Sequence, residues 1–351
     1  MALRFLDSCD HYATGDITKK WTENNGAFTI NTSNGRFGGS CIRSGSEFIG
    51  DNVLLILNPQ AAWVVGTAVN FGSIIPNTTT NVVQLLSTGV FQVGWGVNLD
   101  GTISIISGGN GGHTTTVLAT STLSIPLNTY NYIEFKATIN TSISAHTCQV
   151  MLNGQLACEA PATSNTDRAA TGTANSIALQ FPWSSYAFGG PIEFDDIYIC
   201  DGTGSSNNNF LGDLKCVALF PNGNGSTNQF TNDASNSTNN YSHVNADPAT
   251  GAAFVESNTA SQVDLYTFGS LPFSGTVHGI QQVVEAKKDN AGSRVLAPLI
   301  NIAATNYPGN NIYPTSSYIF YLTQSDTNPN TSAAWTTTDV NNAQYGLEIV
   351  S

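Results

Sequence analysis

The sequence predicts an almost entirely β-stranded protein in two domains, and three observations carry that expectation. Only 10% of the 351 residues are charged, against roughly a quarter in ordinary globular chains. Gly, Ser, Thr and Asn fill the polar positions instead, and these serve strand surfaces and turns, where helix surfaces call for Glu, Lys, Arg and Ala. Apolar residues recur in short alternating runs separated by turn signals, the spacing of a sandwich rather than of an α/β fold. Finally, a stretch of Gly, Ser and Asn between Asp201 and Asn209 lies between two such runs, Ile192 to Cys200 and Leu211 to Phe220, as expected of a domain boundary. We therefore expect a first domain over 1–203, a linker over 204–209 and a second domain over 210–351.

Taken in order, residues 3–12 begin with a strand, and short strands follow at Phe28 to Asn31 and Arg36 to Ile42 around Asn34-Gly35. Val53 to Leu57 and Ala61 to Phe71 come next, the latter carrying Trp63, Val65 and Val69 at even spacing on one face. Val82 to Leu86, Phe91 to Val97 and Ile103 to Ile106 form a meander, with Asp100-Gly101 as the last turn. Tyr130 to Thr138 alternates aromatic or apolar with polar residues, Cys148 to Cys158 is a hairpin on Asn153-Gly154, and Ile177 to Phe181 and Ile192 to Cys200 complete the first domain.

In the second domain, Val263 to Phe268 and Tyr318 to Thr323 are predicted strands. Val277 to Lys288 is expected to pair with Arg294 to Ile300 across Asp289-Asn290-Ala291-Gly292. One short helix, Thr337 to Ala343, follows Trp335, with Thr336 placed three residues before Asp339 as in a capping box. A last strand runs from Tyr345 to Val350.

Charge and targeting signals exclude several roles. With 11 basic and 24 acidic residues the net charge is -13, which repels phosphate backbones and anionic lipid. No nucleic-acid partner and no membrane insertion are expected, since apolar runs such as Val53 to Leu57 are far too short to span a bilayer. The opening MALRFLDSCDHY lacks the apolar stretch of a secretory signal, which predicts synthesis in the cytoplasm. Six cysteines, at 9, 41, 148, 158, 200 and 216, show no zinc spacing. Across the Asn153-Gly154 turn, in the absence of a bulge, Cys158 faces Gln149, so the six read as reduced, mostly buried thiols.

Candidate chemistry concentrates in the closing strand. Glu193, Asp195 and Asp196 are the densest acidic cluster of the first domain. Laminarinase-like jelly-roll glycosidases carry their carboxylates as E-x-D-x-x-E; Glu193 and Asp195 fit, but Tyr198 stands in the third place and leaves hydrolysis without a proton donor. Glycoside hydrolysis is thus the remote reading, and no catalytic residue is assigned. Asp196 and Asp201, beside a Gly-rich turn, are the candidate calcium ligands. No other metal or cofactor is expected. The histidines at 11, 113, 146, 243 and 278 are isolated from one another, and Gly108 to Gly112 lacks the Lys and helix of a phosphate loop. Trp183, Tyr186 and Phe188, aromatic residues in a polar loop, suit a subunit contact or a glycan. Lys287, Lys288 and Arg294 gather positive charge at one turn of an acidic chain and suit docking to an acidic neighbour.

Two resemblances follow from these motifs. Phe5-Leu6-Asp7, the Tyr130 to Phe135 strand, the V-x-L-N-G-x-L hairpin at Val150 to Leu156 and F-D-D-I-Y-I at Phe194 to Ile199 resemble the concanavalin-like, or laminin-G-like, jelly roll. That fold implies that the first and last strands are neighbours. The second half is similar to a segment that follows such domains in tail-associated virion proteins of bacteriophages and prophages. Its marks are F-L-G-D-L-K at 210–215, L-F-P-N-G-N-G at 219–225, D-L-Y-T-F at 264–268, K-K-D-N-A-G-S-R at 287–294, N-P-N-T-S-A-A-W-T at 328–336 and D-V-N-N-A-Q-Y-G-L at 339–347. The resemblance implies a non-enzymatic virion component in multiple copies, a homo-oligomer on tail or capsid whose partners are copies of itself and other virion proteins. A receptor- or glycan-binding adhesin that reads a host surface glycan is the alternative.

Overall fold

The first and last strands of the jelly roll do lie side by side: Ala2–Asp7 runs antiparallel to Ile192–Asp201, with Leu6 opposite Tyr198. The computed structural model describes residues 2–26, 28–45, 51–72, 80–108, 115–140, 147–180 and 191–351. Strands make up 49% of the chain and helices 5%. Two compact units divide it, Met1–Cys216 and Val217–Ser351.

The first unit is a sandwich of two antiparallel sheets. Its strands are β1 Ala2–Asp7, β2 Glu23–Asn25, β3 Thr29–Asn31, β4 Cys41–Arg43, β5 Asn52–Gln60, β6 Ala62–Phe71, β7 Thr80–Ser87, β8 Val90–Val97, β9 Thr102–Ser107, β10 Thr116–Ser124, β11 Tyr130–Thr138, β12 Cys148–Leu152, β13 Gln155–Glu159, β14 Ala174–Gln180 and β15 Ile192–Asp201. One sheet runs β13-β12-β11-β6-β15-β4-β3, with β1 beside the second half of β15, and the other runs β10-β9-β8-β7-β14-β5-β2. Period-two alternation turns Trp63, Val65, Val69, Ile133, Phe135, Phe194 and Ile199 to one face of the first sheet, all fully buried. A four-residue helix α1, Ile17–Lys20, sets Lys20 against Asp7 in a buried ion pair at 2.9 Å, and Asp7 also accepts from Tyr12 and Trp21. All six cysteines are free thiols, and all but Cys216 are buried. A bulge between Val150 and Met151 puts Cys158 opposite Val150, not Gln149.

Two strands of this unit escape the sequence pattern. β10 reads TVLATSTLS and β2 reads ENN, too polar to signal burial, and each lies at an outer edge of its sheet. The expected strand Arg36 to Ile42 is mostly loop, since only Cys41–Arg43 pairs with β15 and β3.

The second unit carries β16 Pro221–Asn228, β17 Thr231–Asn232, β18 Val255–Glu256, β19 Val263–Phe268, β20 Ile280–Ala286, β21 Leu296–Ile302, β22 Thr305–Pro308, β23 Ile319–Ser325 and β24 Gln344–Ile349. Its main sheet runs β16-β19-β24-β21-β22, and two ribbons, β17-β18 and β20-β23, accompany it. Helix α2, Thr337–Asn342, begins with the capping box: Thr336 Oγ1 accepts from the Asp339 amide and Asp339 accepts from the Thr336 amide. The core gathers Ile300, Trp335, Val340, Ala343 and Tyr345, and the Trp335 indole donates to the Ser325 carbonyl at 3.1 Å. Beneath β19, fully buried Asp264 accepts from the Phe230 amide, Asn240 and Tyr266.

Three expectations change in this half. β20 pairs with β23, Val283 opposite Leu322, and not with Arg294 to Ile300, which enters the main sheet beside β24. Leu211 to Phe220 forms no strand; pairing begins at Pro221, in a run whose Pro-Asn-Gly-Asn-Gly reads as a turn. Residues 210–216 fall within the first unit, for reasons given below. Among the described residues no helix is long and apolar enough to cross a membrane.

Trp335 is 2% exposed and centres the second unit's core. Trp335→Ala is expected to lower that unit's stability by about 3–5 kcal/mol, read as an earlier urea transition that leaves the first unit's transition in place.

Candidate functional site

The face of the first sheet that turns away from the sandwich core carries the polar chemistry. On β11, period two puts Tyr130, Tyr132, Glu134 and Lys136 on this face. On β6 the same face shows Gly66, Ala68 and Asn70, opposite Glu134, Tyr132 and Tyr130 respectively. On β15, Glu193 lies opposite Asn70, Asp195 opposite Ala68 and Tyr198 opposite Gly66. A bulge at Asp196, with φ 49°, restores the phase between Asp195 and Tyr198. Without that bulge Tyr198 would point into the sandwich.

Glu134, missed as a candidate in the sequence, is the third carboxylate of this face beside Glu193 and Asp195, 2% exposed. The signal was present in the Y-N-Y-I-E-F-K alternation, which aligns it with two tyrosines. Tyr198 reaches across Gly66 and its hydroxyl donates to Glu134 Oε1 at 2.5 Å. A Cβ on Gly66 would sit 2.0 Å from a ring carbon of Tyr198, so this crossing needs glycine between the two strands. Glu134 Oε1 also accepts the amides of Leu211 at 2.8 Å and Gly212 at 2.9 Å.

Those amides belong to a segment that closes the face. Phe210, Leu211 and Leu214 pack on Leu3, Val64, Ala68, Tyr132, Tyr198 and Cys200. Lys136 donates to Asn209, with its ammonium 5.9 Å from the Phe210 ring centre. The Cys216 amide donates to Asp196 Oδ1 at 2.7 Å. Arg36 ties the far side: its guanidinium donates to Asp196, to the Leu214 carbonyl at 3.0 Å and to Asp213, and lies 5.1 Å from the Tyr132 ring centre. Each apolar side chain buried here contributes about 1–2 kcal/mol. Residues 210–216 therefore belong to the first unit by packing and by hydrogen bonding.

The acid cluster sits beside this cover. Glu193 accepts from Asn34 at 2.8 Å, Asn70 at 3.1 Å and Asn31 at 3.4 Å, with Arg43 Nε at 3.9 Å. Asp195 accepts the amides of Arg36 and Asp196, both at 2.7 Å. Burial, and then the neighbouring Asp196 charge, push the Asp195 carboxyl up to about 8. Burial also lifts Asp196 to about 6, against the pull of the Cys216 amide and Arg36.

The two candidate calcium ligands take protein donors separately. Asp201 is held by Arg4 and by the amide and hydroxyl of Thr203, while Asp196 takes Cys216 and Arg36. Among the described residues no group of three or more His, Cys, Asp or Glu side chains is placed to hold a metal ion. Trp183, Tyr186 and Phe188 lie outside the described residues, as do His113, His146 and most of Gly108 to Gly112. Lys287, Lys288 and Arg294 fall in the second unit.

No family model and no curated protein matches this chain. Solved structures do align with it at low identity. An alginate lyase, Aly36B, is 12% identical with a TM-score of 0.41, over 54% of this chain and 91% of its own. A cellulose-induced protein, Cip1, is 13% identical with a TM-score of 0.38, over 56% of this chain and 89% of its own. A carbohydrate-binding module, CBM66 from Bacillus subtilis, is 11% identical with a TM-score of 0.34, over 49% of this chain and 90% of its own.

Chemically, the site holds its carboxylates in place with hydrogen-bond donors from the chain itself. Glu134 is capped by three donors, and Glu193 by three asparagines. Glu134→Ala strands two amides and a hydroxyl, and is expected to destabilise the first unit by about 2–4 kcal/mol. Trypsin should then cut faster after Lys215; Tyr198→Phe should show a smaller loss of about 1 kcal/mol.

The raised carboxyls give a pH dependence of definite sign. The folded chain holds protons on Asp195 and Asp196 more tightly than the unfolded chain does. Their contribution to stability is present in full below the ordinary value of 3.8 and is lost as pH rises, through about 6 for Asp196 and about 8 for Asp195. Asp195→Asn removes one of these groups. Thermal unfolding between pH 4 and 8 should show the difference between variant and wild type moving in the variant's favour as pH rises.

Proposed function

We propose that this protein is a non-enzymatic structural component of a bacteriophage virion, made in the host cytoplasm and assembled in multiple copies on the tail or capsid. The observation that carries the reading is the closed face: the surface where a jelly roll of this kind would take a substrate is covered by the chain's own residues 210–216, sealed onto Glu134 and Tyr198. A carboxylate with one oxygen, Oε1, held by two amides and a tyrosine is oriented by the cover that lies over it. Tyr198 in the third position of the acid row removes the other group that hydrolysis needs. With its central face closed, the unit offers loops and strand edges for contact, which suits assembly. The motif order from Phe210 to Leu347 supports the placement on a phage particle.

One observation favours glycan binding as a second reading. Phe37 is 58% exposed, with the Arg36 guanidinium 4.8 Å and the Lys215 ammonium 4.5 Å from its ring centre. An exposed ring beside hydrogen-bond donors of this kind is a surface on which a sugar ring stacks.

Immunoelectron microscopy and copy-number measurement on purified particles test the first reading, which expects several copies at one fixed position. Absence from particles overturns it. A glycan array separates the second: saturable binding abolished by Phe37→Ala supports an adhesin. Release of reducing ends that stops in Glu193→Gln would instead make the protein a glycosidase.

A further inference from the structure

A second set of reactive groups in the first unit is sealed from water. Lys20, on α1, and Asp7, at the end of β1, have side chains 1% and 0% exposed and meet at 2.9 Å. The Phe5 and Tyr12 ring centres stand 5.3 Å and 5.6 Å from the Lys20 nitrogen, and Trp21 packs edge-on against Phe5. Neither charge reaches bulk water, so the pair carries the desolvation cost of two ions.

Each atom of the pair is held where a condensation needs it. Asp7 Oδ2 accepts from the Tyr12 hydroxyl at 2.7 Å and from the Trp21 indole at 2.9 Å. Two neutral donors aimed at one oxygen stabilise the charge that develops there when a nucleophile adds to the adjoining carbon. The other oxygen, Oδ1, accepts the Cys9 amide at 2.8 Å and Lys20 Nζ at 2.9 Å. His11 Nε2 lies 3.1 Å from Nζ, within the reach of a general base. Burial, and after it the Lys20 charge, pushes the His11 imidazole down to about 3, so at neutral pH the ring is uncharged and Nε2 accepts. An amine, a base beside it and two donors on one carboxyl oxygen form the constellation of an acyl transfer.

We propose that Lys20 Nζ and Asp7 Cγ join in an isopeptide bond, made by the folded chain itself, which staples β1 to α1. At rest the pair is ionised: burial works against the Asp7 charge, but Lys20 outweighs it and holds the carboxyl below its ordinary value. Reaction begins when the ammonium passes one proton to Oδ1 across their contact, leaving an amine and a neutral carboxyl. The amine lone pair forms the Nζ–Cγ bond, and His11 Nε2 takes a second proton from the nitrogen. His11 returns that proton to Oδ1, the Cγ–Oδ1 bond breaks, and Oδ1 leaves as water with both protons. Oδ2 stays as the amide oxygen, still held by Tyr12 and Trp21, and the nitrogen keeps one hydrogen. Two buried charges become one neutral group, which removes their desolvation cost, while the fixed geometry supplies the effective concentration. The bond belongs to the first unit and does not depend on where the protein acts.

Intact mass spectrometry of the purified, denatured full chain tests it. The wild type should be lighter than its sequence by one water. Fragmentation of the tryptic peptide between Arg4 and Arg36 should place that loss in a link between Asp7 and Lys20. Lys20→Arg keeps a positive charge opposite Asp7 but offers no amine to acylate, and should show the full mass. His11→Gln should reach the lighter mass at least about tenfold more slowly after synthesis, a change that a purely structural ion pair would not produce. Wild-type protein at full mass overturns the proposal, and that measurement needs no variant to fold. A water loss that persists in Lys20→Arg overturns it as well, as does one regained at alkaline pH, the behaviour of a succinimide formed by Asp7 alone. Conversion of His11→Gln at the wild-type rate overturns the assignment of the base.

Discussion

The first unit depends on one buried carboxylate. Glu134 lies on the outer face of a sheet whose other face is already a packed core, and at 2% exposure it has no bulk water to solvate it. A charge in that position costs several kcal/mol unless donors surround it. One donor comes from β15, where Tyr198 crosses over the bare backbone of Gly66, and the other two come from the Leu211 and Gly212 amides. The cover and the carboxylate therefore require each other. Removing the cover would expose Phe210, Leu211 and Leu214 and leave Glu134 short of partners; removing Glu134 would leave the cover's amides unpaired.

This reciprocity explains why the domain boundary is where it is. By composition the pliable stretch ends at Asn209, and the apolar run that follows reads as the first strand of a new domain. Composition records local stiffness, whereas a boundary is set by which side a segment packs against. Phe210 to Cys216 is apolar because it lies on the sheet of the first unit, and Asp196 and Arg36 anchor its far end. The bulge at Asp196 serves both ends of the arrangement, since it brings Tyr198 into phase with Glu193 and Asp195 and aims the Asp196 carboxyl at Cys216.

Strands with a buried face were legible in the sequence. Tyr130 to Thr138 and Val263 to Phe268 appear with the expected bounds, because alternation against a core leaves a period-two trace. The capped helix was legible from Thr336 and Asp339 alone. β10 and β16 were not, since an edge strand of Thr and Ser and a strand of Pro, Asn and Gly draw their stability from backbone pairing, which has no side-chain signature. Partner choice was also hidden: proximity in sequence favoured β20 with β21, while the structure pairs β20 with β23 and gives β21 to β24. Of the site, Glu193, Asp195 and the intruding Tyr198 were visible in one strand, but Glu134, Arg36 and the asparagines around Glu193 come from three other segments and meet only through the fold.

The acid row shows how a fold can tie down alternate carboxylates with its own donors. Alternate carboxylates on a sheet face become catalysts when one stays protonated and exposed to substrate while the other is charged. Here Asp195 has the raised affinity for a proton that a general acid needs, yet both its oxygens accept backbone amides, from Arg36 and from Asp196. Its elevated value arises from burial and from a like charge next door rather than from an opening toward a ligand. A raised carboxyl on this face thus records burial and a neighbouring like charge, and the hydrogen bonds around it, not the titration, say what each oxygen is held by.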